Sequence, residues 1–136
     1  MAILESLGKY RNTGILIVRI GLGVMMMVHG FPKITGGVEM WKGLGDSMKL
    51  IGIDFLPVVW GFIAAAVETF GGFLLVLGLF LRPVSLLLFL NMSMAAVVHL
   101  SNPKQGIMDA SHAIELGFVF LGLMFIGAGK YSIDKK

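Results

Sequence analysis

The sequence predicts an all-α membrane protein: a bundle of four transmembrane helices with an amphipathic interfacial segment between the first and second spans. Of its 136 residues, 57% are hydrophobic and 14% charged, where a soluble domain carries about a quarter charged residues. Its apolar residues come in four runs, close to the roughly 20 residues of helix that cross a bilayer core. Between the first two runs lies a stretch too polar to cross, with an amphipathic pattern of its own.

The first span, 14–31, follows "MAILESLGKYRNTG". Arg19 lies inside it and no small-residue cleavage site follows, so it reads as a retained span rather than a removed signal peptide. Residues 36–54, "GGVEMWKGLGDSMKLIGID", would as a helix place Trp41, Leu44, Met48 and Ile51 on one face and Glu39, Lys42, Asp46 and Lys49 on the other. That is the pattern of a helix lying in the interface plane; with Gly43, Gly45 and Gly52 a loop is the alternative. The second and third spans, 55–81 and 84–100, are separated only by Arg82 and Pro83, a tight reversal where proline ends one helix and starts the next. The fourth runs over 110–128, and the whole chain reads as a single membrane domain.

Lys9, Arg11, Arg82, Lys130, Lys135 and Lys136 fall on one side, with Arg19 just inside it; Lys33, Lys42, Lys49 and Lys104 fall on the other. The positive-inside rule then puts both termini in the cytoplasm of a bacterial inner membrane. The scattered basic residues exclude a phosphate-neutralising cluster, so no nucleic-acid partner is expected. With no cysteine there is no disulfide, Fe–S cluster or thiolate zinc site, and no glycine-rich phosphate loop follows a strand.

An ionisable group at mid-bilayer costs about 2.5–3.5 kcal/mol on insertion scales, so each one needs a partner, a wet cavity or a short reach to the interface. Glu68 shares its helical face with Gly61, Ala64, Ala65, Gly71 and Gly72, small residues that let helices approach, and so points into the bundle. Arg19 either reaches toward Glu68 or snorkels to the cytoplasmic headgroups. His29, His99, His112 and Glu115 converge on the outer half; His99 shares a face with Asn91 and Ala95. Glu68, His99 and Glu115 are the candidate catalytic groups, and His29, Arg19 and Asn91 the candidate ligand-binding ones. Taken singly, a histidine at a span end is more simply an interfacial anchor, and His112 sits in a first turn that Asp109 or Ser111 can cap. Lys33 reads as a headgroup anchor. His112 and Glu115 have metal-ligand spacing, but nothing enforces a metal geometry and none is expected.

The segments "VRIGLGVMMMVHGFPKITGG", "AAVETFGGFLLVLGLFLRPVSLLL", "MAAVVHLSN" and "IELGFVFLGLMFIGAGKYSID" resemble, in order and spacing, the DoxX family of small bacterial membrane proteins. The resemblance implies a four-helix bundle acting as a quinone-linked oxidoreductase or as a subunit of one. It also marks recurring polar positions: Arg19, His29, Gly30 and Lys33; Glu68, Gly71 and Gly72; Arg82, His99 and Glu115; and Gly129, Tyr131 and Asp134. Two readings stay open. In one, a quinone enters laterally from the bilayer into a pocket within the bundle, His29, His99 and Glu115 meet its oxygens, Glu68 moves protons, and a partner redox subunit supplies electrons. In the other, the chain is a non-enzymatic scaffold, chaperone or lipid-binding subunit. Beyond the bilayer itself, a second copy of the chain is a further candidate partner.

Overall fold

The computed structural model describes residues 3–134. Lys135 and Lys136, counted above for orientation, lie outside them. A 3-10 turn over Glu5–Tyr10 leads into α1 (Arg11–Thr35), followed by α2 (Gly37–Asp46), a second 3-10 turn (Ser47–Ile51), α3 (Pro57–Leu77), α4 (Leu81–Ser101) and α5 (Ile107–Ile126). The described residues form no strand. Four helices are long and apolar enough to cross a membrane: α1 with its leading turn, α3, α4 and α5.

Each boundary has a local cause. Pro32 does not stop α1, which runs on to Thr35; the missing N–H costs one backbone bond, and membrane helices tolerate that. The α3–α4 reversal is made by Gly78 and not by Arg82 and Pro83. Gly78 sits at φ 68°, and the Leu79 N–H donates to the Leu74 carbonyl at 3.0 Å, closing α3 with a left-handed cap. The second span therefore ends at Leu77. Pro83 is the third residue of α4, in the first turn where no intrahelical acceptor awaits its N–H. Asp134, from the C-terminal tail, accepts from the Phe80 and Leu81 N–H groups at 2.8 and 2.9 Å and caps α4 from a distance.

The bundle is held by α1 against α3, α3 against α4, and α4 against α5. Gly23 and Gly72 face each other where α1 crosses α3; a Cβ on either would stand 2.5 Å from the other's carbonyl oxygen. Met26, Leu75, Leu88, Met92, Phe120 and Leu123 fill the shared core. The 36–54 segment is helical over α2, as its pattern suggests, but its direction is set by α3. Gly45 meets the backbone of Pro57, and Gly61 that of Trp41, so α2 runs antiparallel along the first turns of α3 instead of lying flat across the bundle. Trp41 rests edge-on against Phe62 and its Nε1 donates to the Lys33 carbonyl. Asp46 ends α2 between Lys42 and Lys49, which hold its carboxyl below the usual range by hydrogen bonding, Lys42 first.

One pair of neighbours is left loosely matched. Among the described residues α1 and α5 make no extended backbone approach, and an open seam runs between them.

Candidate functional site

Two sets of ionisable groups differ in their partners: some are hydrogen-bonded within the bundle, and others stand exposed on α1 and α5.

Arg19 belongs to the first. It is 1% exposed and neither reaches Glu68 nor snorkels. Its Nε donates to the Leu75 carbonyl at 3.0 Å, Nη2 to Val76 at 2.9 Å, and Nη1 to Ala128 and Tyr131 at 2.8 and 2.7 Å. The guanidinium thus lies at the C-terminal end of α3 and beneath the tail after α5, where carbonyls lack intrahelical donors and the helix dipole favours a cation. A Cβ on Gly78 would stand 2.6 Å from Arg19 Nη2, so the glycine that turns the chain also makes room for the arginine.

Glu68 is the second closed group. Lys33 Nζ donates to both its oxygens, at 2.9 and 2.8 Å, and Asn91 Nδ2 donates to Oε1 at 3.0 Å. Lys33 is thereby corrected from headgroup anchor to ion-pair partner. A side chain on an α-helix points back toward the N-terminus, so a lysine in the last turn of α1 reaches down to the middle of α3. Asn91, placed inward by the sequence, joins the same cluster; His99 and Glu115 do not. His99 Nδ1 instead faces Gln105 Oε1 at 3.0 Å, at the far end of α4.

The second set is His29, His112 and Glu115, all exposed. The His29 and His112 rings stack with centroids 5.9 Å apart, bringing α1 and α5 together at the outer end of the seam. His29 Nδ1 donates to the Met25 carbonyl at 2.8 Å, leaving Nε2 as the ring nitrogen open to a ligand. Glu115 follows His112 by three residues and precedes Val119, Gly122 and Ile126 on the same stripe; those three line the inner half of the seam opposite Gly14 and Val18. Among the described residues Glu115 has neither hydrogen bond nor ion pair. It stands about 12 Å along α5 from its start, at 1.5 Å per residue. Asp109 accepts from the Gly106 N–H, so the cap assigned to the first turn of α5 is present, and the His112 ring in addition stacks on His29.

The candidate site residues therefore do not line one cavity. Arg19 is at the opposite end, Glu68 and Asn91 are in the centre, His99 is at the outer rim, and His29 and Glu115 are in the seam. The histidines and carboxylates are not gathered in threes near enough to hold a metal ion among the described residues.

A family model described as DoxX matches residues 14–100, which includes His29, Glu68 and His99 and stops short of His112 and Glu115. The chain is 27% identical over 136 residues to a protein of Escherichia coli (strain K12) named "Inner membrane protein YphA", covering 95% of this chain and 94% of that one. It is 28% identical to an uncharacterized protein of Haemophilus influenzae, covering 98% and 97%. It is also 28% identical over 118 residues to a protein of Bacillus subtilis (strain 168) named "Putative oxidoreductase CatD", covering 86% and 83%. No solved structure matches.

Proposed function

Because the chain belongs to the DoxX family of membrane proteins, we propose that it binds a quinone-like lipophilic molecule in the outer half of the α1–α5 seam, as the membrane subunit of an oxidoreductase. The observation that carries this reading is the His29–His112 stack across α1 and α5, with the unpartnered Glu115 three residues after His112 on α5. A carboxylate without a partner is costly in a membrane and by default marks a functional site, and this one lies one helical turn from His112, whose ring stacks on that of His29.

The division of labour follows from which atoms are open. Reducing a quinone to a quinol takes two electrons and two protons. His29 Nε2 and the His112 ring supply hydrogen bonds to a head oxygen. Glu115, one turn deeper, is a proton-exchanging group. No cysteine is present and no cofactor motif appears in the sequence, so the electrons come from a partner subunit. Glu68 becomes a positioning residue, since its oxygens already accept from Lys33 and Asn91. The cluster pins α1 to α3 and so fixes one wall of the seam. His99 lies outside this arrangement. The relative named an oxidoreductase is in keeping with this chemistry, and the relative named an inner membrane protein with the location; the basic residues argue for cytoplasmic termini.

A crevice of about 270 Å³ between α3 and α4, lined by Phe62, Phe70, Val84 and Leu87, competes for such a ligand. It offers no polar side chain to hold a head oxygen. Photolabelling of the full chain in membranes with an azidoquinone separates the two. Label is expected on α1 and α5 around His29 and His112. Label confined to α3 and α4, or none that unlabelled quinone can compete away, would contradict the assignment.

The alternative of a non-enzymatic scaffold draws on a specific observation as well: Arg19 and Glu68 are each fully engaged within the bundle, as charges that only hold helices in register would be. Under that reading Glu115 has no task, and Glu115→Gln is silent in any quinone assay.

A further inference from the structure

At the end of the bundle that carries both described termini, a hollow of about 380 Å³ opens between α1, α4 and the tail after α5, lined among others by Arg11, Asn12, Arg82 and Asp134. It runs directly into the inner half of the α1–α5 seam, a second hollow of about 440 Å³ walled by Gly14, Val18, Val119 and Gly122. Arg11, Ile15 and Ile126 line both. One end is basic and hydrogen-bonding; the other is apolar and faces the bilayer.

Neither arginine at the basic end forms an ion pair among the described residues, and the two guanidiniums outnumber the one carboxylate in the wall. Asp134, the carboxylate in the wall, has both oxygens turned to the first N–H groups of α4. Arg82 is fixed by its Nη1, which donates to the Met124 and Phe125 carbonyls at 2.7 and 3.0 Å. Its Nε and Nη2 have no acceptor among the described residues. Arg11 is exposed and has no partner among them. Asn12 accepts from the Lys130 N–H through Oδ1, which leaves its amide N–H groups to donate. Two guanidiniums and an amide thus stand ready around one hollow, the donor set that suits a phosphate oxygen cluster.

We propose that this double hollow is a binding site for an anionic phospholipid. The headgroup phosphate lies between Arg11 and Arg82 with Asn12 donating, and one acyl chain runs up the seam over Gly14 and Gly122 toward Val18 and Val119. Basic pockets between transmembrane helices select lipid headgroups in this way. A soluble phosphate would satisfy the guanidiniums but leave the apolar half without an occupant. The lipid occupies the inner half of the seam, so this proposal does not depend on the quinone site at the outer end.

The test is native mass spectrometry on the delipidated full chain, with phosphatidylglycerol, phosphatidylcholine and inorganic phosphate as separate probes. The wild type is expected to retain one phosphatidylglycerol in preference to phosphatidylcholine, and to hold inorganic phosphate poorly. Arg11→Gln, at an exposed position without an internal partner, should weaken retention of phosphatidylglycerol about tenfold, the loss of one charge-assisted contact. Gly122→Leu keeps both arginines and adds bulk where a Cβ meets nothing within 4 Å; it should lower lipid retention by filling the acyl path. Equal retention of the two lipids, or unchanged retention in Arg11→Gln, would overturn the proposal. So would inorganic phosphate binding as well as lipid with no effect of Gly122→Leu, which would make the hollow a plain anion pocket.

Discussion

Arg19 and Glu115 are both ionisable groups on transmembrane helices, and they are treated in opposite ways. Arg19 gives its donors to four carbonyls of α3 and the tail, so truncation leaves buried acceptors without donors. Arg19→Ala should destabilise the bundle by several times the about 1–3 kcal/mol that each buried carbonyl left without its donor costs, read by thermal unfolding in detergent. Arg19→Lys should recover only part of that, because an ammonium lacks the planar fork that reaches Leu75, Val76 and Tyr131 together. For Lys33 and Glu68 a double-mutant cycle is the informative experiment. Lys33→Met and Glu68→Leu should each destabilise more than half as much as the double variant, with a coupling of about 1–3 kcal/mol. A coupling near zero would mean that Lys33, one-third exposed, is paired with water instead.

At the scale of the elements, two close approaches decide how helices lie. Gly72→Val should push α1 off α3, since a Cβ there already stands 2.5 Å from the Gly23 carbonyl; overpacking of this kind costs about 1–3 kcal/mol. Gly45→Val acts on α2 alone, through Pro57, and should appear as a red-shifted Trp41 emission with the four long helices intact by circular dichroism. The end of α2 also carries a pH dependence of known sign. Asp46 is held below the usual carboxyl range by Lys42 and then Lys49, so what it lends to α2 is fully present above the unfolded-chain value of about 3.9 and is lost as pH falls through its lower folded value. Trp41 emission should therefore stay flat, on account of this group, from neutral pH down to about 4.

Across the whole molecule, what the sequence disclosed was what is local. An apolar run of about 20 residues is a span wherever it lies, and the small-residue face around Glu68 pointed inward as expected. The partners were not disclosed, because they are backbone atoms or distant side chains. Nothing in "IVRIGLG" says that Arg19 meets the carbonyls after α5. The first span reads as ending at Phe31, which makes Lys33 look like an anchor beyond the helix, when α1 continues to Thr35 and the lysine side chain turns back to Glu68. His29 and His112 are far apart in sequence and meet because α1 and α5, packed on different neighbours, leave a seam that those rings bridge. The residues that matched the sequence reading in direction, Glu68 and Asn91, turn out to be bound to one another, and the groups left open are Glu115 and the two histidines. Charges with internal partners hold this bundle together, and the proposed function assigns the work to the open groups on α1 and α5. That division is tested most directly by the quinone content of the purified full chain. Wild-type protein and Arg11→Gln should each carry a quinone-like molecule on extraction, and Glu115→Gln should lose it while keeping its thermal stability. Quinone retained in Glu115→Gln at the wild-type level, or absent from the wild type altogether, would contradict it.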